Sequence, residues 1–509
     1  MLRVSALWPN DKIQAECSFH GYSDPWIESL TYDSQACGPS SIYFAYVGTH
    51  TDGHKFIHEA IAKGAVAVVH SLPLAEFKED ILYILSAHPR RLYSAFSSAL
   101  HDYPQRKIPI VGVTGTDGKT STCEFLHQVL GKHGLRCGLL DTVNIDDGTG
   151  KRPSPYRQST PEATEIHSFL LRCLTNNVQL VVLEATSHGL SNEFARLADI
   201  PFSIAIFTTL TSEHMEFHQS LENYLQAKLN LARQLVPEGL LIMPAAFPYR
   251  NEALQATPQS VERLTYALDE RDSTANLVVE TEHVTLERRY FSSLQDGRLV
   301  RSSIPLAPAF FLRNALGSIL AASKVLGMSA ASLLPDLTWL DPIPGRFEVY
   351  PMAQEAVAII DFAHTADAFS RLFTEVRLIR PKGRLIAVFG AAGERDRSKR
   401  APMGAIAALW CETIILTDED PRGEVSQAIF RDIRSGIPLD SKVTVHEIAD
   451  RTQAIALALR ICQANDTLLL LGKGHERSIQ YAAGAVAWNE RYNLEAQMRL
   501  VRIPRGDVE

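Results

Sequence analysis

The chain has 509 residues, which is too long for one compact core and predicts about three domains. Its formal net charge of −8 excludes the excess of Lys and Arg that broad binding to nucleic acid or anionic membranes requires. Seven scattered cysteines without a C-x-x-C pair argue against a disulfide framework or a zinc site. The N-terminus has no leader pattern and no apolar run approaches the ~20 residues of a membrane span, so we expect a cytoplasmic protein without membrane insertion.

The first predicted domain, residues 1–105, has an α/β pattern. Strand-like runs at 41–48 and 65–71 alternate with a helical stretch at 54–64. The following segment, 101–109, contains two prolines and mixed charge, and it is interpreted as a linker.

The second predicted domain, residues 106–340, begins with an apolar strand, a glycine-rich turn and a helix that ends at Gly134. Buried strands are predicted within 179–189 and 201–211. Strands that alternate with helices predict a largely parallel sheet with both faces covered. Residues 270–305 alternate more like antiparallel strands.

The third predicted domain, residues 341–509, repeats the α/β pattern. Each predicted strand is followed by polar residues and then a helical pattern; the strands are at 356–364, 383–393, 412–420 and 466–476. Since open α/β sheets bind ligands at the carboxyl ends of their strands, the loops that follow should share one rim. The predicted fold class is therefore α/β throughout.

A phosphate-binding loop is the strongest local signal. It comprises Gly115, Thr116, Asp117, Gly118, Lys119, Thr120 and Ser121, between a strand and a helix. Glycines let backbone N–H groups face phosphate oxygens, and the helix N-terminus adds partial positive charge. Lys119 can reach the β- and γ-phosphates of ATP, and the Thr120 hydroxyl can ligate Mg²⁺. The usual pattern has glycine where this chain has Val113, and the alternative is a helix-opening turn with a chance lysine.

Glu184, at the end of the strand QLVVLEA, is the predicted acidic partner of this loop. A carboxylate at that place can hold Mg²⁺ beside the loop hydroxyl. Its alternative is a solvated acid at a strand end.

Eight motifs in sequence resemble those of the Mur ligases, most closely the branch that adds the third amino acid to a nucleotide-sugar peptide. They are GTDGKTS at 115–121, EATSHGL at 184–190, TTLTSEHMEFHQS at 208–220, PGRFE at 344–348, DFAHTAD at 361–367, FGAAGERDRSKRAPMG at 389–404, DEDPRGE at 418–424 and LGKGHE at 471–476. The resemblance implies a UDP-binding first domain, a central ATP-binding domain and a Rossmann-like third domain that binds the amino acid.

The resemblance also implies residue roles at the ATP site. Catalysis is assigned to Lys119, Glu184, His214 and Lys228, with Lys228 carbamylated. The implied metal ligands are Thr120, Glu184, His214 and Lys228, and further ATP contacts are Asn314, Arg346, Asp361 and His364. Glu213 stands where aspartate is usual, and Pro308 and Phe311 interrupt the pattern before Asn314.

Substrate contacts are implied in all three domains. The UDP-sugar-peptide contacts are Ser34, Thr51, Asp52, Gly53, His54, Ser159, Thr160, Ser187 and Arg196, and Gln35 replaces a usual arginine. The amino-acid contacts are Arg395, Asp420, Arg422, Gly472 and Glu476. Two arginines and a glutamate suit a diamino acid, because arginine pairs bidentately with carboxylates and Glu476 can receive an ammonium. Asp420 favours lysine or ornithine by its charge, whereas Arg422 is typical of diaminopimelate enzymes.

The implied reaction is ATP-dependent formation of an amide bond between UDP-N-acetylmuramoyl-dipeptide and a diamino acid, through an acyl phosphate, by a monomer. One rival is a folylpolyglutamate synthetase, which would lack the first-domain elements DSQ at 33–35 and TDGH at 51–54 and the DEDPRGE loop at 418–424. The other is a nucleotide-gated binding protein without turnover, against which the intact Lys119, Glu184, His214 and Lys228 argue.

Overall fold

The computed structural model describes residues 1–21, 24–48, 51–156, 158–211, 220–270 and 274–501. Contacts divide the chain into two compact units. The first comprises Met1–Leu210, Glu222–Tyr266 and Leu320–Leu326, and the second comprises Thr211–Leu221, Ala267–Ile319 and Gly327–Glu509.

The amino-terminal part of the first unit is built on a five-stranded sheet. Its strands, in spatial order, are Ser18–His20, Leu82–Leu85, Ala65–His70, Ser41–Ala45 and Ser29–Thr31. All neighbours are parallel except the first pair. The accompanying elements are strands Leu2–Arg3 and Trp26–Ile27, helices Asp11–Ala15, Ile57–Ala62 and Pro89–Leu100, and 3₁₀ turns Val4–Ala6, Ser34–Ala36, Gly53–Phe56 and Pro104–Arg106. Phe44 and Phe96 pack in the core below this sheet.

The central sheet of the first unit contains the predicted buried strands, and the glycine-rich turn follows one of them. In spatial order its strands are Arg152–Pro153, Asn144–Asp146, Cys137–Leu140, Leu180–Glu184, Ile110–Thr114, Phe202–Phe207, Leu235–Pro244 and Glu262–Leu268. The last six are parallel. The helices are Lys119–Lys132, Ala163–Thr175, Ser187–Leu190, Leu221–Arg233 and Arg250–Ala256. Thr114, Glu184 and Phe207 therefore end their strands at the same edge of the sheet.

Helix Pro89–Leu100 joins the two sheets of the first unit by packing on helix Ala163–Thr175. Tyr93 Oη lies 2.9 Å from Thr164 Oγ1, and Ser97 Oγ lies 3.0 Å from His167 Nδ1. Both Ser97 and His167 are fully buried, so this junction is a packed interior that contains a side-chain hydrogen bond.

The second unit contains three antiparallel strands and a six-stranded sheet. The antiparallel strands are Leu277–Val284, Arg289–Gln295 and Arg298–Ile304, as the alternation of residues 270–305 predicted. The six-stranded order is Glu348–Pro351, Val357–Asp361, Thr467–Leu471, Leu385–Phe389, Thr413–Leu416 and Thr444–Glu447. A hairpin joins Ser478–Tyr481 to Gly484–Ala487, and the other elements are helices Ala330–Leu333, Ala366–Ile379, Arg400–Trp410, Ser426–Arg434, Arg451–Ile461 and Glu490–Leu500 and the 3₁₀ turn Leu334–Trp339.

Five strands of this sheet, all except Glu348–Pro351, are mutually parallel. The loops that follow them consequently lie along one edge, as the sequence predicted. The α/β fold class is confirmed, whereas the boundaries at 105/106 and 340/341 stay predictions.

Helix Ala309–Leu326 is long and apolar enough to cross a membrane by length and composition, and 61% of it is buried inside the structure. A buried core helix of a globular protein has the same properties.

Candidate active site

The phosphate loop has a backbone shape that its glycines permit. Gly115 has φ +150° and Gly118 has φ +83°, both in the region that favours glycine. A Cβ on Gly115 would collide with the Thr208 side chain. The pair Thr208 and Thr209, which follows a neighbouring strand, also fixes the loop: Thr116 N donates to Thr209 O at 2.6 Å, and Thr208 Oγ1 donates to Asp117 O at 2.5 Å.

Two predicted catalytic lysines meet at this loop. Lys119 Nζ donates to Thr116 O at 2.8 Å and to Gly115 O at 3.2 Å. Lys228, on helix Leu221–Arg233, is 1% exposed, and its Nζ donates to the same Gly115 O at 2.6 Å. The Lys228 Nζ also lies 4.5 Å from the centre of the Tyr224 ring. Both Nζ atoms therefore share one acceptor, the Gly115 carbonyl, at the predicted phosphate loop.

Thr120 and Glu184, the other predicted metal ligands within the described residues, are in direct contact. Thr120 Oγ1 donates to Glu184 Oε2 at 2.8 Å, and the two residues are 4% and 2% exposed. A hydroxyl and a carboxylate are the hard oxygen ligands that Mg²⁺ prefers, so these residues fit that ion. His214 lies outside the described residues. Within the described part of the chain, no three His, Cys, Asp or Glu side chains are grouped to hold a metal ion.

A second acidic pair lies behind Glu184. Burial, with Glu124 and Glu184 nearby, raises the pKa of Asp141 well above its ordinary value. Glu124 is itself 1% exposed and forms an ion pair with Lys151 at 3.2 Å. Three carboxyl groups, of Glu124, Asp141 and Glu184, therefore lie close together at this edge of the sheet, beside the predicted phosphate loop.

Three of the predicted sugar-peptide contacts, Thr160, Ser187 and Arg196, converge near Glu184. Thr160 Oγ1 donates to the Glu184 carbonyl at 2.8 Å, and Arg196 Nη1 donates to Thr160 O at 3.0 Å. Ser187 is buried and begins the short helix that follows Glu184. Ser159, half-buried, precedes Thr160 in the same loop.

In the amino-terminal domain the predicted UDP contacts are held by internal hydrogen bonds. Asp52 Oδ1 accepts bonds from His54 N at 3.0 Å and His54 Nδ1 at 2.6 Å, and the side-chain bond lowers the pKa of Asp52. His54 Nε2 accepts a bond from Ser71 N at 3.2 Å. Thr51 is exposed and Gly53 opens the same 3₁₀ turn.

A cation that the sequence analysis did not predict lies beside Gln35. Ser34 Oγ donates to Glu59 Oε2 at 2.9 Å, and Gln35 Nε2 donates to the other oxygen of Glu59. Lys63 Nζ donates to Gln35 Oε1 at 2.5 Å. Lys63 thus brings a positive charge to the place where the family pattern has an arginine. The sequence signal for Lys63 was its position four residues after Glu59, because residues at this spacing lie on one face of a helix.

In the second unit, Arg346, Asp361 and His364 lie together. Phe347 N donates to Asp361 Oδ2 at 2.8 Å, and the Arg346 guanidinium lies 4.6 Å from the centre of the Phe362 ring. His364 Nδ1 donates to Phe362 O at 2.9 Å. Asn314 is buried on helix Ala309–Leu326, and no hydrogen bond between described residues joins its side chain to these groups.

Asp420 and Glu476, from the predicted amino-acid site, share an internal cation. Lys473 is fully buried, and its Nζ donates to Asp420 Oδ1 at 2.8 Å and contacts Glu476 Oε2 at 2.5 Å. Burial opposes the charge of Lys473, but Glu476 and Asp420 raise its pKa. Burial raises the pKa of Glu476, although Lys473 acts in the opposite direction. The sequence analysis considered the negative charge of Asp420 without a neighbouring cation. In the structure, Lys473 partly balances that charge.

The loops of Arg395 and Arg422 are joined by a buried arginine. Arg400 is fully buried and donates to both carboxylate oxygens of Glu424, at 3.0 and 3.1 Å, which lowers the pKa of Glu424 to about 2. Gly393 N also donates to Asp420 O at 2.8 Å. Arg395 is exposed, whereas Arg422 is half-buried with φ +54°.

Gly472 packs against the second of these loops. It has φ +95°, and a Cβ there would lie 2.7 Å from Glu419 Oε2. A side chain at position 472 would consequently displace the buried Glu419 from beside the predicted amino-acid site.

Comparison with known protein families covers most of the chain. Residues 27–95 match the profile described as Mur ligase family, catalytic domain, residues 113–322 match the Mur ligase middle domain, and residues 345–474 match the Mur ligase, glutamate ligase domain. The order of these matches is that of the motifs.

Curated relatives and solved structures agree. The chain is 38% identical to a UDP-N-acetylmuramyl-tripeptide synthetase of Borreliella burgdorferi, covering 92% of each chain. It is 32% identical to a UDP-N-acetylmuramoyl-L-alanyl-D-glutamate--2,6-diaminopimelate ligase of Syntrophomonas wolfei, covering 90% of this chain and 91% of the relative. A solved 2,6-diaminopimelate ligase structure with 25% identity aligns with a TM-score of 0.62, covering 94% and 95% of the two chains. The chain belongs to the Mur ligase family and is an ATP-dependent ligase.

Proposed function

We propose that this chain adds the third amino acid, a diamino acid, to UDP-N-acetylmuramoyl-L-alanyl-D-glutamate in the cytoplasm, with release of ADP and phosphate. The observation that carries the proposal is the meeting of Lys119 and Lys228 at the Gly115 carbonyl, beside the contact between Thr120 and Glu184. The relatives, a tripeptide synthetase and a diaminopimelate ligase, support a UDP-N-acetylmuramoyl-peptide substrate.

The proposed chemistry has two steps. The terminal carboxylate of the nucleotide-linked dipeptide attacks the γ-phosphorus of ATP, which forms an acyl phosphate and releases ADP. The amine of the incoming amino acid then attacks the acyl carbon, loses a proton, and phosphate leaves. Such transfers depend on positioning and on cations rather than on a protein nucleophile.

Within the first unit, loop N–H groups and Lys119 would hold the phosphates. Thr120, Glu184, His214 and a carbamylated Lys228 would hold Mg²⁺, which when bound neutralises charge on the phosphoryl oxygens. Carbamylation joins the neutral Lys228 amine to CO₂ with loss of a proton, and it exchanges a cation for an anion. In the second unit, Asn314, Arg346, Asp361 and His364 are the proposed adenosine-side contacts.

The amino-acid end would use Arg395, Asp420, Arg422, Gly472 and Glu476. Arg422 and Arg395 supply cations for carboxylates, and Asp420 with Glu476 supplies two carboxylates that share Lys473. Counting Asp420, Glu476 and Lys473 alone, one negative charge remains for a substrate ammonium. This remainder favours lysine or ornithine, whereas Arg422 favours meso-diaminopimelate, so all three amino acids are candidate substrates.

The test is ADP release with UDP-N-acetylmuramoyl-L-alanyl-D-glutamate and, in turn, meso-diaminopimelate, L-lysine and L-ornithine. We expect ADP and a tripeptide product with one of the three, and neither without an amino acid. If ADP is released but none of the three reactions yields a tripeptide, the proposal is refuted.

A further inference from the structure

Among the described residues, hydrogen bonds hold the carboxylate of Glu184 through one of its two oxygens. Its Oε2 accepts bonds from Thr120 Oγ1 at 2.8 Å, from Thr142 Oγ1 at 2.8 Å and from Thr142 N at 3.2 Å. None of the hydrogen bonds between described residues ends on Oε1. Three donors thus fix one oxygen of a carboxylate that is 2% exposed, and the other oxygen is left for a cation.

The sheet register brings Thr142 to this carboxylate. Leu140 lies opposite Leu183 in the parallel pairing of their strands, so the turn after Leu140 begins beside Glu184. Asp141 fixes that turn, because its Oδ1 accepts bonds from Val143 N at 2.7 Å and Asn144 N at 2.8 Å. This Asx-type turn orients both donors of Thr142 toward Glu184.

A second layer holds the turn from behind. Asn144 Nδ2 donates to Glu124, and Lys151 Nζ donates to the other oxygen of Glu124 at 3.2 Å. Asp141, Asn144 and Glu124 are each at least nine-tenths buried. The turn that carries Thr142 is therefore supported by a layer of buried polar groups, to which the exposed Lys151 adds an ion pair.

We propose that Thr142 is a positioning residue of the metal site: its hydroxyl and N–H hold Oε2 of Glu184 and thereby reserve Oε1 for Mg²⁺. The inference rests on the proposed function. The bond from Thr120 is compatible with it, because a hydroxyl can offer a lone pair to a cation while its O–H still donates to the carboxylate. Partners that orient a metal-ligating carboxylate commonly change metal affinity 10- to 100-fold.

The test uses Mn²⁺ as the probe, with ADP, and measures bound Mn²⁺ by electron paramagnetic resonance without turnover. Thr142→Val removes the hydroxyl and keeps the N–H and the shape. We expect Mn²⁺ affinity to fall about 10- to 100-fold in this variant and to recover in Thr142→Ser. In the ligase assay, the Mg²⁺ concentration for half-maximal rate should rise more than the rate at saturating Mg²⁺ falls.

Thr257→Val is the matched control. Thr257 is 5% exposed and its hydroxyl donates to Ala253 O at 2.7 Å, far along the chain from the phosphate loop. We expect wild-type Mn²⁺ affinity there. If Thr142→Val does not fold, Thr142→Ala tests the same hydroxyl in a smaller side chain.

Wild-type affinity in a folded Thr142 variant without the hydroxyl would overturn the inference, as would an equal loss in Thr257→Val. These outcomes are distinct from failure of the proposed function, which would appear in the wild-type protein as ADP-dependent Mn²⁺ binding without any tripeptide product.

Discussion

The buried pair of Arg451 and Glu490 supports the predicted amino-acid site from behind. Both side chains are 0% exposed, and their nitrogen–oxygen distances are 2.6, 2.9 and 3.1 Å. Arg451 also donates to Leu471 O at 2.9 Å and to Asp418 O at 3.4 Å. These carbonyls directly precede the loops of the predicted amino-acid site, so the arginine connects two strand ends.

Arg451→Met should be strongly destabilising. It leaves the Glu490 carboxylate buried with the Trp488 Nε1 donor at 2.6 Å as a remaining partner. Removing one member of a buried ion pair costs about 3–5 kcal/mol, and two charges about 4 Å apart interact by about 4 kcal/mol at an effective dielectric constant of 20. We expect the free energy of unfolding to fall by about 3–5 kcal/mol. Arg451→Met/Glu490→Leu should recover part of that loss, because neither charge then remains.

The assay is urea unfolding followed by circular dichroism, together with the KM for the amino acid. Arg451→Met should raise this KM, because two loops of the predicted amino-acid site lose the arginine that joins the carbonyls before them. A loss of less than about 1 kcal/mol in the single variant, or a double variant no more stable than the single one, would refute the reasoning.

Two further predictions concern the first unit. Lys119→Ala should lower turnover by a factor on the order of 10²–10³ while circular dichroism stays unchanged, because Lys119 contacts only loop carbonyls within the described residues; near-normal ADP release would discredit the phosphate-loop assignment. Burial, and then His101, lower the pKa of His167 from 6.5 to about 3. Below pH 6.5 the unfolded chain therefore binds a proton that the folded chain does not, and stability falls with falling pH. His167→Asn should show a smaller fall in Tm between pH 7 and pH 5 than the wild type, and equal falls would contradict this account.

Local patterns predicted the parts of the fold that local chemistry determines. The turn between the strand and the helix needs positive φ angles at Gly115 and Gly118, which glycine adopts more readily than other residues, so the sequence alone indicates its shape. The shared rim of the second unit follows from the alternation of strands and helices, because parallel strands end at one edge.

Contacts between distant residues were not predictable in the same way. Lys473 lies 53 positions from Asp420, and no periodicity in the sequence shows that a lysine between two glycines becomes a fully buried cation. Thr142 lies 42 positions from Glu184, and only the strand register brings them together. Both depend on tertiary packing, which single-sequence patterns do not encode.

The carbonyl of Gly115 is a shared acceptor for two ammonium groups. This carbonyl is a neutral acceptor, so a triphosphate bound at the proposed site would compete with it for both lysines. Carbamylation of Lys228 by CO₂ would remove one of the two ammonium groups and leave Lys119 as the remaining lysine donor to that oxygen. The two effects are linked: if carbamylation of Lys228 changes the affinity for the nucleotide by some factor, bound nucleotide changes the affinity of Lys228 for CO₂ by the same factor.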